Sequence, residues 1–311
     1  MKPTFACEWL HSCAGCEIAL VDLGEVLLEL LARVEIVHFP LLMDNKYSSR
    51  AGEGDGMVLP AADLGLVSGG VASEEERAIL LAMRRSCRTL IALGTCATHG
   101  GIPALANERS QEAVRAGVFA DCGPLPTQVP DCLDRVYAVD ELVQPDLCVP
   151  GCPPRPETIA AAITAVLDGE LPVTPAKSVC ETCPARREGR ATTRTARRFF
   201  DNADGNPDEE LGQMRCLLEQ GLMCMGPVTA GGCGGSGPPL CVRVRVPCRG
   251  CYGPVRAGGN PLLDLMNALA GQGVDRRSVV DRRSLLRFCG AHGLLRSAAG
   301  PRSPERFHGG S

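Results

Sequence analysis

Eighteen of the 311 residues are cysteine, and most sit in short spacings beside glycine and proline. Three C-x-x-C pairs stand out: Cys13 with Cys16, Cys180 with Cys183, and Cys248 with Cys251. Single cysteines occupy Gly94-Thr95-Cys96, Pro150-Gly151-Cys152-Pro153-Pro154 and the run Cys216, Cys224, Cys233, Cys241. Disulfide frameworks belong to small secreted domains that lack a core. A chain of this length buries a large core without staples. Iron–sulfur cubanes take thiolates in fours, and so do structural zinc sites. The chemistry is therefore metal binding, and the question is how the thiols group.

The elements that must gather them alternate between strand and helix up to about residue 170. Thr4–Leu10 reads as a strand. Apolar residues at 20, 23, 27, 28, 30 and 31 predict one helix from Ile18 to Leu31. Val34–Phe39 is a strand closed by Pro40. Asp63–Val67 is another, and Ser73 with Glu76 forms a capping box that opens a helix to about Ser86. Thr89–Leu93, Arg135–Val139 and Asp146–Val149 are further strands. Pro156 suits the first position of a helix ending at Leu167. This alternation predicts an α/β fold, an open parallel sheet covered on both faces.

Loops past the carboxyl ends of such strands converge on a crevice. Cys13, Cys16, Cys96 and Cys152 each follow an expected strand, so four distant thiols can meet there and hold one cubane. Gly15, Gly94 and Gly151 permit close backbone approach, and Pro153 and Pro154 stiffen the last ligand loop.

After Pro172 the alternation stops. Residues 178–255 are rich in Cys, Gly, Pro and Arg, and bound metal is expected to supply much of their order. Eight thiols divide by sequence into two sites: Cys180, Cys183, Cys216 and Cys224, then Cys233, Cys241, Cys248 and Cys251. Zinc competes here, but three sites in one chain suit a relay, and zinc has no redox chemistry. Residues 261–271 read as one short helix. Beyond Gly273 lies an Arg-rich tail with pairs at 276–277 and 282–283, expected to be solvated or partner-docking. The expected organisation is residues 1–172, 173–272 and 273–311.

A formal charge of −4 and 4% aromatic residues favour neither nucleic acid nor an anionic membrane surface. No apolar run reaches the roughly 20 residues that span a bilayer. Met1-Lys-Pro-Thr-Phe carries no signal-peptide core, so a cytoplasmic setting with reduced thiols is expected.

Trp9-Leu-His-Ser-Cys-Ala-Gly-Cys16, Gly94-Thr-Cys-Ala-Thr-His-Gly-Gly-Ile-Pro103 and Pro150-Gly-Cys-Pro-Pro154 resemble the proximal-cluster motifs of nickel–iron hydrogenase small subunits. Cys224-Met-Gly-Pro-Val-Thr with Cys233, and Pro247-Cys-Arg-Gly-Cys-Tyr-Gly-Pro254, resemble their distal and medial segments. Leu41-Leu-Met-Asp-Asn-Lys-Tyr47 and Cys216-Leu-Leu-Glu-Gln-Gly221 resemble the F420-non-reducing, methyl-viologen-type members linked to heterodisulfide reductase. The likeness covers about residues 5 to 270.

The resemblance implies a flavodoxin-like domain followed by a small irregular cluster domain. It implies three 4Fe–4S clusters: proximal on Cys13, Cys16, Cys96 and Cys152; medial on Cys233, Cys241, Cys248 and Cys251; distal on Cys180, Cys183, Cys216 and Cys224. Cys180 stands where periplasmic relatives use His, and Cys241 where many have Pro. The stretch 234–240 is a few residues longer than in the subgroup, and Gly237 falls where a relative would place the fourth medial Cys. The spacing of Cys241 to Cys248 assigns that role to Cys241. The implied activity is hydrogenase, with hydrogen split on a separate large subunit and electrons passed to an iron–sulfur or flavin protein. An alternative is the peripheral-arm subunit of NADH:quinone oxidoreductase, which has adjacent cysteines that are absent here. A free-standing ferredoxin-like carrier is a third reading, which the large α/β domain disfavours.

Six cysteines remain. Cys7 and Cys148 read as strand packing, Cys122 and Cys132 lie in a Pro-rich loop, Cys87 follows a helix, and Cys289 belongs to the tail. Glu17 reads first as an acid at a helix N-terminus and second as a proton carrier. His11 and His99 flank proximal ligands and could hydrogen-bond a cluster sulfide. Arg186, Arg187, Arg190, Arg194, Arg197 and Arg198 read as a solvated face or a docking site for an acidic acceptor.

Overall fold

The chain opens with β1 (Thr4–Trp9), α1 (Gly15–Val21), α2 (Glu25–Arg33) and β2 (Glu35–His38). A two-stranded antiparallel pair, β3 (Ser48–Ser49) and β4 (Met57–Val58), precedes β5 (Ala62–Ser68), β6 (Val71–Ser73) and α3 (Glu74–Ser86). Then come β7 (Cys87–Leu93), α4 (Gly94–His99), α5 (Gln111–Phe119), β8 (Cys132–Tyr137), β9 (Leu147–Val149) and α6 (Pro156–Leu167). Among the described later residues, the elements are α7 (Leu240–Arg243), α8 (Pro261–Gly271) and short 3-10 turns. This computed structural model describes residues 2–44, 47–49, 57–119, 129–170, 172, 177–198, 201–256, 258–280 and 283–295. Cys122, most of the junction at 171–176 and the tail beyond 295 lie outside the described residues.

Five strands pair in parallel in the order β2-β1-β5-β7-β9. The central strands are apolar on both sides because helices cover both faces. Leu64, Leu66, Ile91 and Leu93 pack against Leu20, Leu30, Ile159 and Ile163 of α1, α2 and α6. Val67, Leu90 and Ala92 pack against Ile79, Leu80 and Met83 of α3. The capping box forms as expected: Glu76 N donates to Ser73 Oγ (3.2 Å), and Ser73 N donates to Glu76 Oε2 (3.0 Å). No described helix is long and apolar enough to cross a membrane.

Three expectations need correcting. The helix expected over Ile18–Leu31 is two, broken at Gly24, whose φ of 61° is readily adopted only by glycine. The strand expected at Arg135–Val139 is β8, which leaves the parallel sheet and pairs antiparallel with β6. Asn107 holds it there. Val136 N donates to Asn107 Oδ1 (2.8 Å), and Asn107 Nδ2 donates to Val136 O (2.9 Å).

The third correction concerns the tail. Residues 274–280 and 283–295 are folded: Val274, Val279 and Leu285 join a second core with Met214, Leu217, Leu222, Leu265 and Leu269. That core also contains Cys224 and Cys248, so apolar burial contributes to the order of the Cys-rich region. Farther on, Cys289 bridges to Gly101, Ala291 N donates to His99 O (3.3 Å), and Asn107 Nδ2 reaches Gly290 O (3.4 Å). The segment thus straps the second region to the sheet domain. Asn107→Ala would leave buried backbone groups on β8 unpaired and loosen the strap, at a cost of about 2–4 kcal/mol. Thermal unfolding of the anaerobically purified protein should show a lowered midpoint; an unchanged one contradicts this role.

Candidate metal centres

The first group of thiols lies at the carboxyl ends of β1, β7 and β9. Cys13 is in the loop after β1, Cys16 in α1, Cys96 in α4, and Cys152 in the loop after β9. Burial, Glu17 and then the thiols of Cys96, Cys152 and Cys13 push the Cys16 thiol far up. Cys96 is pushed up to about 12 by burial, Cys152 and Cys13. Four thiols this close shed their protons together only when a cation takes up the charge. The backbone around them is cut to fit. A Cβ on Gly94 would collide with Cys16 Sγ, one on Gly101 would lie 2.6 Å from Cys96 Sγ, and one on Gly15 3.3 Å from Cys13 Sγ.

Thr95 ties this site together. Its amide donates to Gly151 O (2.8 Å), and its hydroxyl accepts from Gly151 N (2.9 Å) and donates to the carbonyl of Cys251 in the second region. One threonine therefore fixes two ligand loops and the approach of a third.

The second group surrounds a cavity of about 340 Å³ lined by Cys233, Cys241, Cys248, Cys251 and also Cys152. Pro153, Pro154, Leu240 and Tyr252 close it with apolar surface. The Cys251 thiol is pushed up to about 12, by burial first and then by Cys241, Cys233 and Cys152. Cys241 sits in α7 and faces this group. A Cβ on Gly237 would meet only Gly234 O, at 3.6 Å.

Cys180, Cys183, Cys216 and Cys224 form the third group. Burial pushes Cys180 up to about 11 against the pull of Arg187, and Cys183 and Cys216 add to it. Cys224 rises to about 12 by burial, with Cys180 and Cys216 contributing. Cys248 N donates to Cys224 Sγ (3.3 Å), which joins this group to the cavity group. Gly226 lies between them and the rest: its Cβ would stand 3.2 Å from Cys180 Sγ and 3.5 Å from Cys224 Sγ. Among the described residues no three His, Cys, Asp or Glu side chains converge on a point for one metal ion.

The other described thiols do not line these groups. Cys7, Cys87 and Cys289 are buried, Cys148 is half-buried and Cys132 is exposed. Gly65 makes room for Cys87, since a Cβ there would overlap its sulfur. His11 faces Glu76 instead of a ligand loop (Nδ1–Oε1 3.4 Å). His99 is driven down to about 4 by burial and by His292, and its ring packs on Gly253. Glu17 is fully buried; Ser68 Oγ donates to one oxygen, the other has no described partner, and burial raises its pKa.

One arrangement escaped sequence reasoning. Glu8 and His38 are both buried and bonded (2.7 Å), and Tyr47 donates to the same carboxylate oxygen (2.8 Å). A glutamate inside the apolar strand β1 was the available signal.

The sequence profile of the family described as NADH ubiquinone oxidoreductase, 20 Kd subunit, matches residues 13–166. Among solved structures, the chain is similar to one from an NAD+-reducing [NiFe]-hydrogenase in the H2-reduced state (TM-score 0.50, 33% identity, 56% of this chain and 96% of that one). It also shares its fold with a [NiFeSe] hydrogenase chain from Desulfovibrio vulgaris Hildenborough (TM-score 0.50, 18% identity, 82% and 94%). Sheet, crevice and Cys-rich second region together define an oxidoreductase subunit of the nickel–iron hydrogenase small-subunit class. A subunit of the F420-non-reducing hydrogenase vhu from Methanococcus voltae is 37% identical over 283 residues, 89% of this chain and 91% of the relative. The iron-sulfur subunit of the F420-non-reducing hydrogenase from Archaeoglobus profundus is 35% identical over 267 residues, 78% and 79%. The chain belongs to this family of F420-non-reducing hydrogenase iron–sulfur subunits.

Proposed function

We propose that this chain is the electron-relay subunit of a cytoplasmic nickel–iron hydrogenase, holding three 4Fe–4S clusters in series. Cys13, Cys16, Cys96 and Cys152 would hold the proximal cluster, Cys233, Cys241, Cys248 and Cys251 the medial, and Cys180, Cys183, Cys216 and Cys224 the distal. Residues 1–172 carry the first, and residues 173–295 the other two. The carrying observation is that the three thiol groups form one continuous row: Cys152 lines the cavity of the medial group, and Cys248 N bonds the sulfur of Cys224. Bound clusters supply one-electron redox chemistry. The chain's own residues order the ligand loops and exclude water with Pro153, Pro154, Leu240 and Tyr252. The thiolates of Cys180 and Cys241 add negative charge and favour low potentials.

In this reading a large subunit would dock over the first crevice. Cys13 and Cys152 are exposed in this chain. Trp9, Ile18, Leu41, Leu42 and Met43, all near the carboxyl ends of β1 and β2, expose apolar surface beside them. Hydrogen would be split on that partner, and electrons would leave from the distal end to an iron–sulfur or flavin protein, with heterodisulfide reductase as the proposed destination.

The profile match over residues 13–166 is the observation that favours a quinone-linked peripheral-arm subunit. Against it stand the absence of a Cys-Cys dipeptide and the eight further grouped thiols beyond residue 172. Iron, nickel and acid-labile sulfide analysis of the anaerobically purified complex tests the proposal. About twelve iron atoms per copy of this chain are expected, with nickel on a co-purifying large subunit. Stoichiometric zinc, or a complex without nickel, overturns it.

A further inference from the structure

Two arginine-bearing segments far apart in sequence are laced together on the second region. Ala191 N donates to Gln272 O (2.8 Å), Asp275 N to Arg194 O (2.7 Å), and Ala196 N to Ser278 Oγ (2.7 Å). Thr195 and Asp275 form a parallel bridge. The lacing sets Arg190, Arg194 and Arg198 beside Arg276 and Arg277, and all five are exposed. None makes an ion pair with a described residue. Nearby acids are mostly engaged: Glu188 pairs with Arg186 (3.2 Å) and Arg215 (2.6 Å), and Asp204 with Arg197 (2.9 Å). Asp201 pairs loosely with Arg197 (4.0 Å) and accepts from Arg198 N, and Asp275 accepts from Arg277 N. A concentrated positive face thus stands on a chain whose formal charge is −4.

This face flanks the Cys180 group. Arg187 donates to the carbonyl of Cys180, Cys216 N donates to Arg186 O (2.7 Å), and Arg197 N donates to Gly221 O (2.8 Å), between Cys216 and Cys224. At its edge Val280 is 80% exposed, an apolar contact within a charged rim.

We infer that this arginine face is the docking surface for an acidic electron-transfer protein at the distal end of the row, an inference that rests on the relay proposed above. Charge of this kind steers encounter and sets the orientation of an electron-transfer partner. The partner chemistry is a carboxylate-rich face around a redox centre, as on a small acidic ferredoxin.

The test uses the whole complex carrying Arg194→Glu, Arg276→Glu and Arg277→Glu. Hydrogen-dependent reduction is followed with an acidic bacterial two-cluster ferredoxin and, separately, with methyl viologen. The ferredoxin rate at low ionic strength should fall at least about tenfold, and its decline with salt should flatten. The viologen rate should stay within about twofold. An unchanged ferredoxin rate overturns the docking face, and so does a parallel fall in both rates, which would assign the arginines to folding. Arginine-dependent binding to phosphatidylglycerol vesicles with an unaltered ferredoxin rate also overturns it, in favour of a membrane surface. If the unmodified complex reduces neither acceptor, the relay itself fails; if it reduces viologen while the ferredoxin rate ignores charge, only the docking face fails.

Discussion

Alanine at Gly94 should cost the complex its proximal cluster and bring hydrogen-dependent reduction of every acceptor to background. Gly94 leaves β7 and opens α4 with φ at +82°, where an L-residue is strained by about 1–2 kcal/mol. The strain is the smaller fault. The new Cβ would overlap Cys16 Sγ, while Gly151 O, at 3.5 Å, closes another side. Cys16 is fixed by α1, so its sulfur has to turn out of the group. Iron content should drop from about twelve to about eight atoms per chain, the other two groups staying filled. Gly117→Ala is the matched control. Its Cβ meets nothing within 4 Å and lies in α5, where alanine adds about 0.5–1 kcal/mol of helix stability. A Gly94→Ala complex that keeps all its iron and its activity would remove Cys16 from the ligand set.

Why some of this was legible in sequence and some was not follows from the kind of signal each part carries. β1, β5 and β7 were readable because strands covered on both faces are apolar throughout. The Ser73–Glu76 box was readable because it is purely local. The break at Gly24 was hidden, since the apolar stripe at 20, 23, 27, 28, 30 and 31 keeps helical phase across it. The pairing of β8 was hidden for another reason: alternation shows that a strand forms, and says nothing about its neighbour. In the tail, conspicuous arginines masked the widely spaced apolar residues Val274, Val279, Leu285 and Leu295, all of which are buried. For the site, loop placement and spacing nominate twelve thiols in three sets, and members of each set lie near one another in the fold. Spacing could not reveal that Thr95 joins two of them, nor that Glu8 and His38 meet inside the domain, because both depend on tertiary approach.

Replacing Cys241 with alanine should convert the medial site from four thiolates to three and uncouple the two ends of the row. Among the proposed medial ligands, Cys241 has the strongest competitor in sequence, because Gly237 falls where a relative would place the residue. Cys241 lines the cavity with Cys233, Cys248 and Cys251, whereas a Cβ at Gly237 would meet only Gly234 O, at 3.6 Å. With one thiolate gone, the site loses a negative charge and the means to hold its fourth iron. Its potential should rise by on the order of 100 mV or more, and the iron count should fall by about one per chain. A high-potential centre in the middle of a low-potential row traps electrons, so reduction of low-potential acceptors should fail while the proximal site still becomes reduced under hydrogen. Redox titration followed by electron paramagnetic resonance reads both changes in one preparation. If Cys241→Ala leaves the iron count and the medial signal unchanged, Cys241 is not the fourth medial ligand.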